Sequence, residues 1–112
     1  MSREIKFRIW DKKTKRWSKN FNVNLLNVND FNIVSINQYT GLKDIAGDEI
    51  YEGDIVRDVS DGIIGQIEYS DGGFIIIYDD IMEKLNSDES AYLEVIGNIY
   101  ENSKLLGEEV QI

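Results

Sequence analysis

The sequence predicts a small, mainly β protein built as an antiparallel barrel. Glycine repeatedly stands beside acidic or amide residues, as in Ala46-Gly47-Asp48 and Glu52-Gly53-Asp54, which is the composition of tight turns. Between these turns lie short runs rich in β-branched and aromatic residues, spaced about 8–12 residues apart. With 112 residues, of which 42% are hydrophobic, the chain has enough apolar side chains for one core. We therefore expect a single domain over residues 1–112.

The amino-terminal segment predicts a β-hairpin. Ile5, Phe7 and Ile9 alternate with polar or aromatic neighbours, which is the period of a half-buried strand. Residues 11–15 are polar and turn-like, and residues 16–18 would begin the return strand. Alternation over 21–28 changes phase, which indicates a bulge, and a further strand is expected at 31–39.

The middle of the chain predicts a series of strands and turns. We expect turns at Thr40-Gly41 and at residues 46–48, and short strands at 49–51 and 55–59. A strand at 63–69 contains Gly65, which indicates a bend or a close backbone approach. The turn at residues 70–73 connects it to 74–78, an apolar run that we expect to be central and covered on both faces.

One short helix is predicted near residues 80–86. Asp80 precedes Glu83 by three positions, as in an N-terminal capping box, and Ile81 and Leu85 would share a helical face. The last strand is expected at 92–100. The glycine and strand pattern of residues 53–75 is similar to the meander of SH3-like barrels. The predicted fold is thus an SH3-like or related antiparallel barrel with an N-terminal β-hairpin extension.

Charge is divided unevenly along the chain. The net charge is −9, yet residues 1–19 hold eight Lys or Arg against two acids, whereas the remainder holds four against nineteen acids. A basic hairpin could lie over the acidic body of its own fold or of another copy. We favour this self-complementary arrangement, and the alternative is contact with a polyanion or an oppositely charged protein face.

Composition excludes several chemistries. The chain contains no His and no Cys, which removes disulfides, thiol catalysis, His-based triads and Cys/His zinc sites. No apolar run approaches the ~20 residues of a membrane helix, so we expect no membrane partner and a cytoplasmic protein. We predict no enzyme, with no catalytic, metal or cofactor-binding residues and no cofactor.

Three segments resemble the YopX family of small proteins encoded largely by bacteriophages and prophages. They are residues 5–13, residues 39–56 and Ile96-Gly97-Asn98-Ile99-Tyr100-Glu101-Asn102. One departure is Ser103, where the family commonly has proline. The resemblance implies a phage or prophage origin and a life in the host cytoplasm, and it implies no catalytic residues.

Two clusters are candidates for binding chemistry. The carboxylates between Asp44 and Asp54 could hold Ca²⁺ or Mg²⁺, but we interpret them as turn residues because the spacing matches no EF-hand loop. Trp10 and Trp17 lie among basic residues, a mixture that suits base stacking and phosphate contacts. We favour the alternative in which both rings cover the core while the basic side chains reach outward.

These observations predict a non-enzymatic accessory protein that acts by binding protein and assembles with copies of itself. Expected partners are further copies of the chain or a host or phage protein. The alternative is a nucleic-acid-associated module, and mimicry of DNA charge by the acidic body is a third hypothesis. The predicted interaction surface consists of Arg8, Trp10, Lys12, Lys13, Lys15, Arg16, Trp17 and Lys19.

Overall fold

The computed structural model describes residues 5–18, 33–79 and 81–107, and these form two antiparallel sheets. The first sheet has the strand order β2-β1-β3-β4 and the second has β8-β7-β6-β5-β9. This architecture confirms the mainly β, barrel-like class and the amino-terminal hairpin. The strands are β1 Phe7–Asp11, β2 Arg16–Ser18, β3 Ile33–Lys43, β4 Glu49–Tyr51, β5 Asp54–Asp58, β6 Ile64–Ser70, β7 Gly73–Tyr78, β8 Ile81–Lys84 and β9 Leu93–Asn98.

Strand β3 is longer than predicted. The expected turn at Thr40-Gly41 is wrong, because the strand continues through it with a register shift between Tyr39 and Lys43 against β4. Gly41 has φ 89°, and the Thr40 hydroxyl donates to the carbonyl of Ile50 at 2.8 Å. The glycine therefore makes an irregularity within the strand, and the side chain of Thr40 satisfies the disturbed backbone.

The β6–β7 hairpin follows the prediction closely. Its two central residues, Asp71 and Gly72, have φ 52° and 81°, as the right-handed twist of a two-residue hairpin requires. Gly65 marks a close backbone approach, since a Cβ there would lie 2.9 Å from the carbonyl oxygen of Ile77. Strand β7 lies between two neighbours, but only Phe74 and Ile76 are buried and the other face is half-buried. The expectation of full cover on both faces is therefore wrong.

The short helix lies later than predicted. Residues Ile81–Lys84 form edge strand β8 paired with β7, and helix α1 spans Ser87–Ser90. The open edge of β7 provides backbone partners that outweigh the local helical pattern. Asn86 starts the helix because its side chain accepts from the backbone N–H of Glu89 at 2.8 Å. Asp80, the predicted cap, lies outside the described residues.

The core belongs mainly to the second sheet and is closed by β4. Five fully buried side chains form it, and they are Ile50, Val56, Ile67, Ile76 and Leu93. Beyond β9, a 3₁₀ helix spans Ser103–Leu106. None of the helices in residues 5–18, 33–79 and 81–107 is long and apolar enough to cross a membrane. The predicted strand segments at 21–28 and 31–32 lie outside the described residues.

Candidate interaction surface on the basic hairpin and at the seam between the sheets

A buried ion pair connects the basic hairpin to the acidic body. Arg8 on β1 donates from Nη2 to Oδ1 of Asp54 on β5 at 2.6 Å, and the two side chains are 7% and 2% exposed. The other carboxylate oxygen of Asp54 accepts from the backbone N–H of Tyr51 at 2.8 Å. Asp54 thus neutralises Arg8 and also holds the turn between β4 and β5.

Aromatic rings enclose the Arg8 guanidinium. The guanidinium carbon Cζ of Arg8 lies 3.6 Å from the ring centroid of Trp17 and 4.6 Å from that of Tyr51. Both distances are within the range of a cation–π interaction. Trp17 in turn contacts Trp10 and Tyr100, with centroid distances of 5.0 and 5.7 Å. Trp10 is 4% exposed and Trp17 is half-buried, so the Trp10 ring lies in the interior and Trp17 packs against it across the hairpin.

A second ion pair joins the hairpin region to β4. Lys6 pairs with Glu49, and Glu49 also accepts a hydrogen bond from the Tyr51 hydroxyl at 3.0 Å. Burial, this hydrogen bond and the Glu49 charge together raise the pKa of Tyr51 well above its ordinary value. The hairpin therefore lies over acidic residues of its own chain, in agreement with the intramolecular interpretation of the charge asymmetry.

The tip of the hairpin carries charges of a different kind. Lys12, Lys13, Lys15 and Arg16 are exposed, and within the described part of the chain none of them makes an ion pair. We call these four residues the basic turn. The Asp11 side chain shapes the turn by accepting from the backbone N–H of Lys13 at 2.9 Å.

The structure places the members of the predicted interaction surface at different depths. Arg8 and Trp10 are buried and Trp17 is half-buried, whereas the four residues of the basic turn are exposed. Lys19 lies outside the described residues. Beside the turn, an open groove of about 310 Å³ is lined by Trp10, Tyr100, Lys12, Lys15 and Glu101.

Two carboxylates of the 44–54 segment, those of Asp44 and Asp54, accept hydrogen bonds from backbone N–H groups. Asp44 is buried, and its Oδ1 accepts from the backbone N–H groups of Ala46 and Asp48 at 2.9 and 2.8 Å. Its Oδ2 accepts from the N–H of Val95 at 2.9 Å, which ties the loop to the outer edge of β9. Within the described ranges no three acidic side chains are grouped as metal ligands. This geometry agrees with the interpretation of the segment as turn architecture.

A pocket of about 200 Å³ lies at the seam between the two sheets. The turn at residues 52–53 holds the seam, since Glu52 donates its N–H to Gln38 of β3 and Gly53 donates to Ile67 of β6. We call this cavity the seam pocket. Its lining includes Ser35, Asn37, Glu52, Gly53, Glu68, Tyr69 and Tyr100. Sequence reasoning missed it, because these residues come from four separate segments.

An acidic groove of about 220 Å³, lined by residues that include Asp58, Asp61, Glu83 and Glu89, lies near helix α1 and β8. Burial and the neighbouring carboxyl of Glu83 raise the pKa of Glu89, whose Oε2 accepts from the Tyr78 hydroxyl at 3.4 Å. The pKa of Asp58, which lines the same groove, is shifted in the opposite direction. Hydrogen bonds from the hydroxyl and backbone N–H of Ser60 lower the pKa of Asp58.

The sequence pattern of a family described as YopX protein matches residues 18–107, which is most of the chain. The chain belongs to the YopX family. No curated protein matches it.

One solved structure similar to this YopX-family chain is titled crystal structure of protein EF1440 from Enterococcus faecalis. It is 28% identical, with a TM-score of 0.72, and the likeness covers 94% of this chain and 99% of that one. The family match begins at the end of β2, but the structural likeness covers more of the chain and reaches into the amino-terminal hairpin. The two-sheet arrangement is therefore shared with EF1440.

Proposed function

We propose that this YopX-family chain is a phage- or prophage-encoded accessory protein of the host cytoplasm that acts without catalysis, by binding protein partners including copies of itself. The observation that carries the proposal is the basic turn. It presents four exposed cations without an ion pair in the described ranges, on a chain whose net charge is −9.

The difference between the paired cations at the base of the hairpin and the cations at its tip, unpaired within the described part of the chain, supports binding to a second molecule. Lys6 and Arg8, near its base, are paired with Glu49 and Asp54 of the same chain. The four cations of the basic turn make no ion pair within the described residues, while residues 20–112 carry a large excess of acids. A neighbouring copy offers the complementary charge, and such a head-to-tail contact closes into a ring when its rotation allows.

Multi-angle light scattering at two salt concentrations tests the proposal. We expect oligomers at about 0.05 M NaCl and a shift toward monomer at about 0.5 M, because exposed charges are screened over shorter distances at high salt. The variant Lys12→Gln/Lys13→Gln should assemble less. The matched control Lys43→Gln/Lys104→Gln removes the same charge elsewhere and should assemble normally. A monomer at both salt concentrations would overturn the self-assembly proposal.

A nucleic-acid-associated module is the second candidate, favoured by the groove in which Lys12 and Lys15 flank the aromatic side chains of Trp10 and Tyr100. Burial of Trp10 leaves little of its ring for stacking, which makes this candidate the weaker one. Fluorescence anisotropy with a labelled single-stranded oligonucleotide tests it. Binding should weaken steeply as salt rises, and absence of binding at low salt would eliminate it.

A further inference from the structure

The seam pocket contains a buried polar atom without a partner. Asn37 is 3% exposed, and its amide nitrogen donates to Ser35 Oγ at 3.0 Å and to Tyr100 Oη at 3.1 Å. Its carbonyl oxygen Oδ1 accepts no hydrogen bond from any described residue. Because buried carbonyl oxygens are normally hydrogen-bonded, this oxygen favours the arrival of a donor.

The corner beside this oxygen is kept free of a side chain. A Cβ on Gly53 would lie 3.4 Å from Asn37 Oδ1 and 3.5 Å from Cε2 of Tyr100. Gly53 has φ 89°, which also favours glycine. Asn37 Oδ1 therefore lies beside Gly53, and both residues line the pocket.

The rest of the lining is rich in acceptors. Two acidic residues, Glu52 and Glu68, and two aromatic residues, Tyr69 and Tyr100, are among those that line the pocket. Glu68 Oε2 already accepts from Gln66 Nε2 at 2.9 Å, which holds it in place. Carboxylates, an amide carbonyl and aromatic faces together suit a group that only donates hydrogen bonds and carries positive charge. A volume of about 200 Å³ admits the end of one side chain.

We propose that the seam pocket binds an alkylammonium or guanidinium group. This inference rests on the proposed function: the group that enters the seam pocket is the side chain of a lysine or arginine from the basic turn of a second copy. That cation would place donors toward Asn37 Oδ1 and balance the charges of Glu52 and Glu68. A free small cation of the same chemistry is the other source, and the experiment separates the two.

The first arm measures the chemistry directly. The full chain, labelled with ¹⁵N, is titrated with n-butylammonium chloride and, in parallel, with neutral n-butanol. We expect saturable shifts of the Asn37 side-chain amide and of the backbone amides around the seam pocket with the ammonium alone. Glu68→Gln should weaken this binding about fivefold, the loss of one partly exposed ion pair. Asp71→Asn, in an exposed turn on the same sheet, removes equal charge and should leave the affinity unchanged.

The second arm measures assembly of Glu52→Gln/Glu68→Gln by light scattering. Reduced assembly of a variant that retains a folded spectrum supports a second copy as the source. Butylammonium binding by a chain that remains monomeric supports the ligand chemistry and overturns the second copy as its source. If Glu52→Gln/Glu68→Gln assembles with the same salt dependence as the parent and the parent binds no ammonium, the seam pocket inference is overturned and the proposed function stands. Equal shifts with butanol also overturn it.

Discussion

The buried pair of Arg8 and Asp54 provides the sharpest test of how the hairpin is held. The substitution Asp54→Asn removes the charge and keeps an oxygen that can accept the backbone N–H of Tyr51. The perturbation therefore isolates the ion pair, whose Nη2–Oδ1 distance is 2.6 Å, from the turn that Asp54 also supports.

The expected loss of stability follows from the burial of the Arg8–Asp54 pair. Exposed pairs contribute about 0–1 kcal/mol, whereas leaving one partner of a buried pair without its counter-charge costs about 3–5 kcal/mol. The one oxygen of Asn is used by the Tyr51 N–H, so its NH₂ faces the Arg8 guanidinium, which also only donates, and we expect a loss of about 3 kcal/mol. For a domain of this size, such a loss lowers Tm by about 10 °C.

Urea unfolding followed by tryptophan fluorescence measures the effect, since Arg8 lies against the ring of Trp17. Glu94→Gln is the matched control, because the Arg57–Glu94 pair has side chains that are 49% and 40% exposed. We expect that control to lose less than about 1 kcal/mol.

A double-mutant cycle with Arg8→Met completes the test. The double variant Arg8→Met/Asp54→Asn should be more stable than the sum of the single losses predicts, by about 2 kcal/mol, since neither charge is then buried alone. If Asp54→Asn unfolds at the same urea concentration as the Glu94→Gln control, the reasoning is refuted.

Three further changes probe other parts of the fold. Gly65→Ala should destabilise the fold by about 1–3 kcal/mol, since the added Cβ would lie 2.9 Å from the carbonyl oxygen of Ile77. Gly73→Ala is the control, because a Cβ there has open space around it and should not destabilise the fold. Thermal melts of the two variants compare them. Asp44→Asn presents an amide NH₂ to one of three backbone N–H groups and should cost about 1–3 kcal/mol in urea unfolding, so an unchanged midpoint would contradict the assigned role. Because the native pKa of Glu89 is raised, the contribution of this residue to stability is fully present at acid pH and is lost as the pH rises through the native pKa. The variant Glu89→Gln should therefore be more stable than the parent at pH 7 and equal to it below about pH 4. A constant difference in stability across that pH range would disprove the assignment.

Local patterns predicted much of the second sheet. The alternation of β6 and the Asp71-Gly72 turn required only neighbouring residues, because a two-residue hairpin brings adjacent strands together directly. The same reasoning was wrong at residues 81–84. There an apolar pair at helical spacing lies next to the open edge of β7, and strand pairing replaced the helix.

The candidate sites depended far more on long-range contacts. The basic turn is continuous in sequence, so its charge was visible beforehand, but the burial of Arg8 was not, since its partner Asp54 is 46 positions away. The seam pocket likewise assembles Asn37 and Tyr100, 63 positions apart. No periodicity or spacing rule reports such a meeting.

By itself, the amino-acid sequence determined the β class, the tight turns, the charge asymmetry and the kinship with YopX proteins. These properties depend on backbone preferences and side-chain composition, which act over a few residues. The three-dimensional packing alone decided which cations of the hairpin are neutralised and which remain exposed, and it created the seam pocket. The physical reason is that burial and ion pairing are properties of two surfaces brought together, and the order of residues along one strand does not specify the opposing surface.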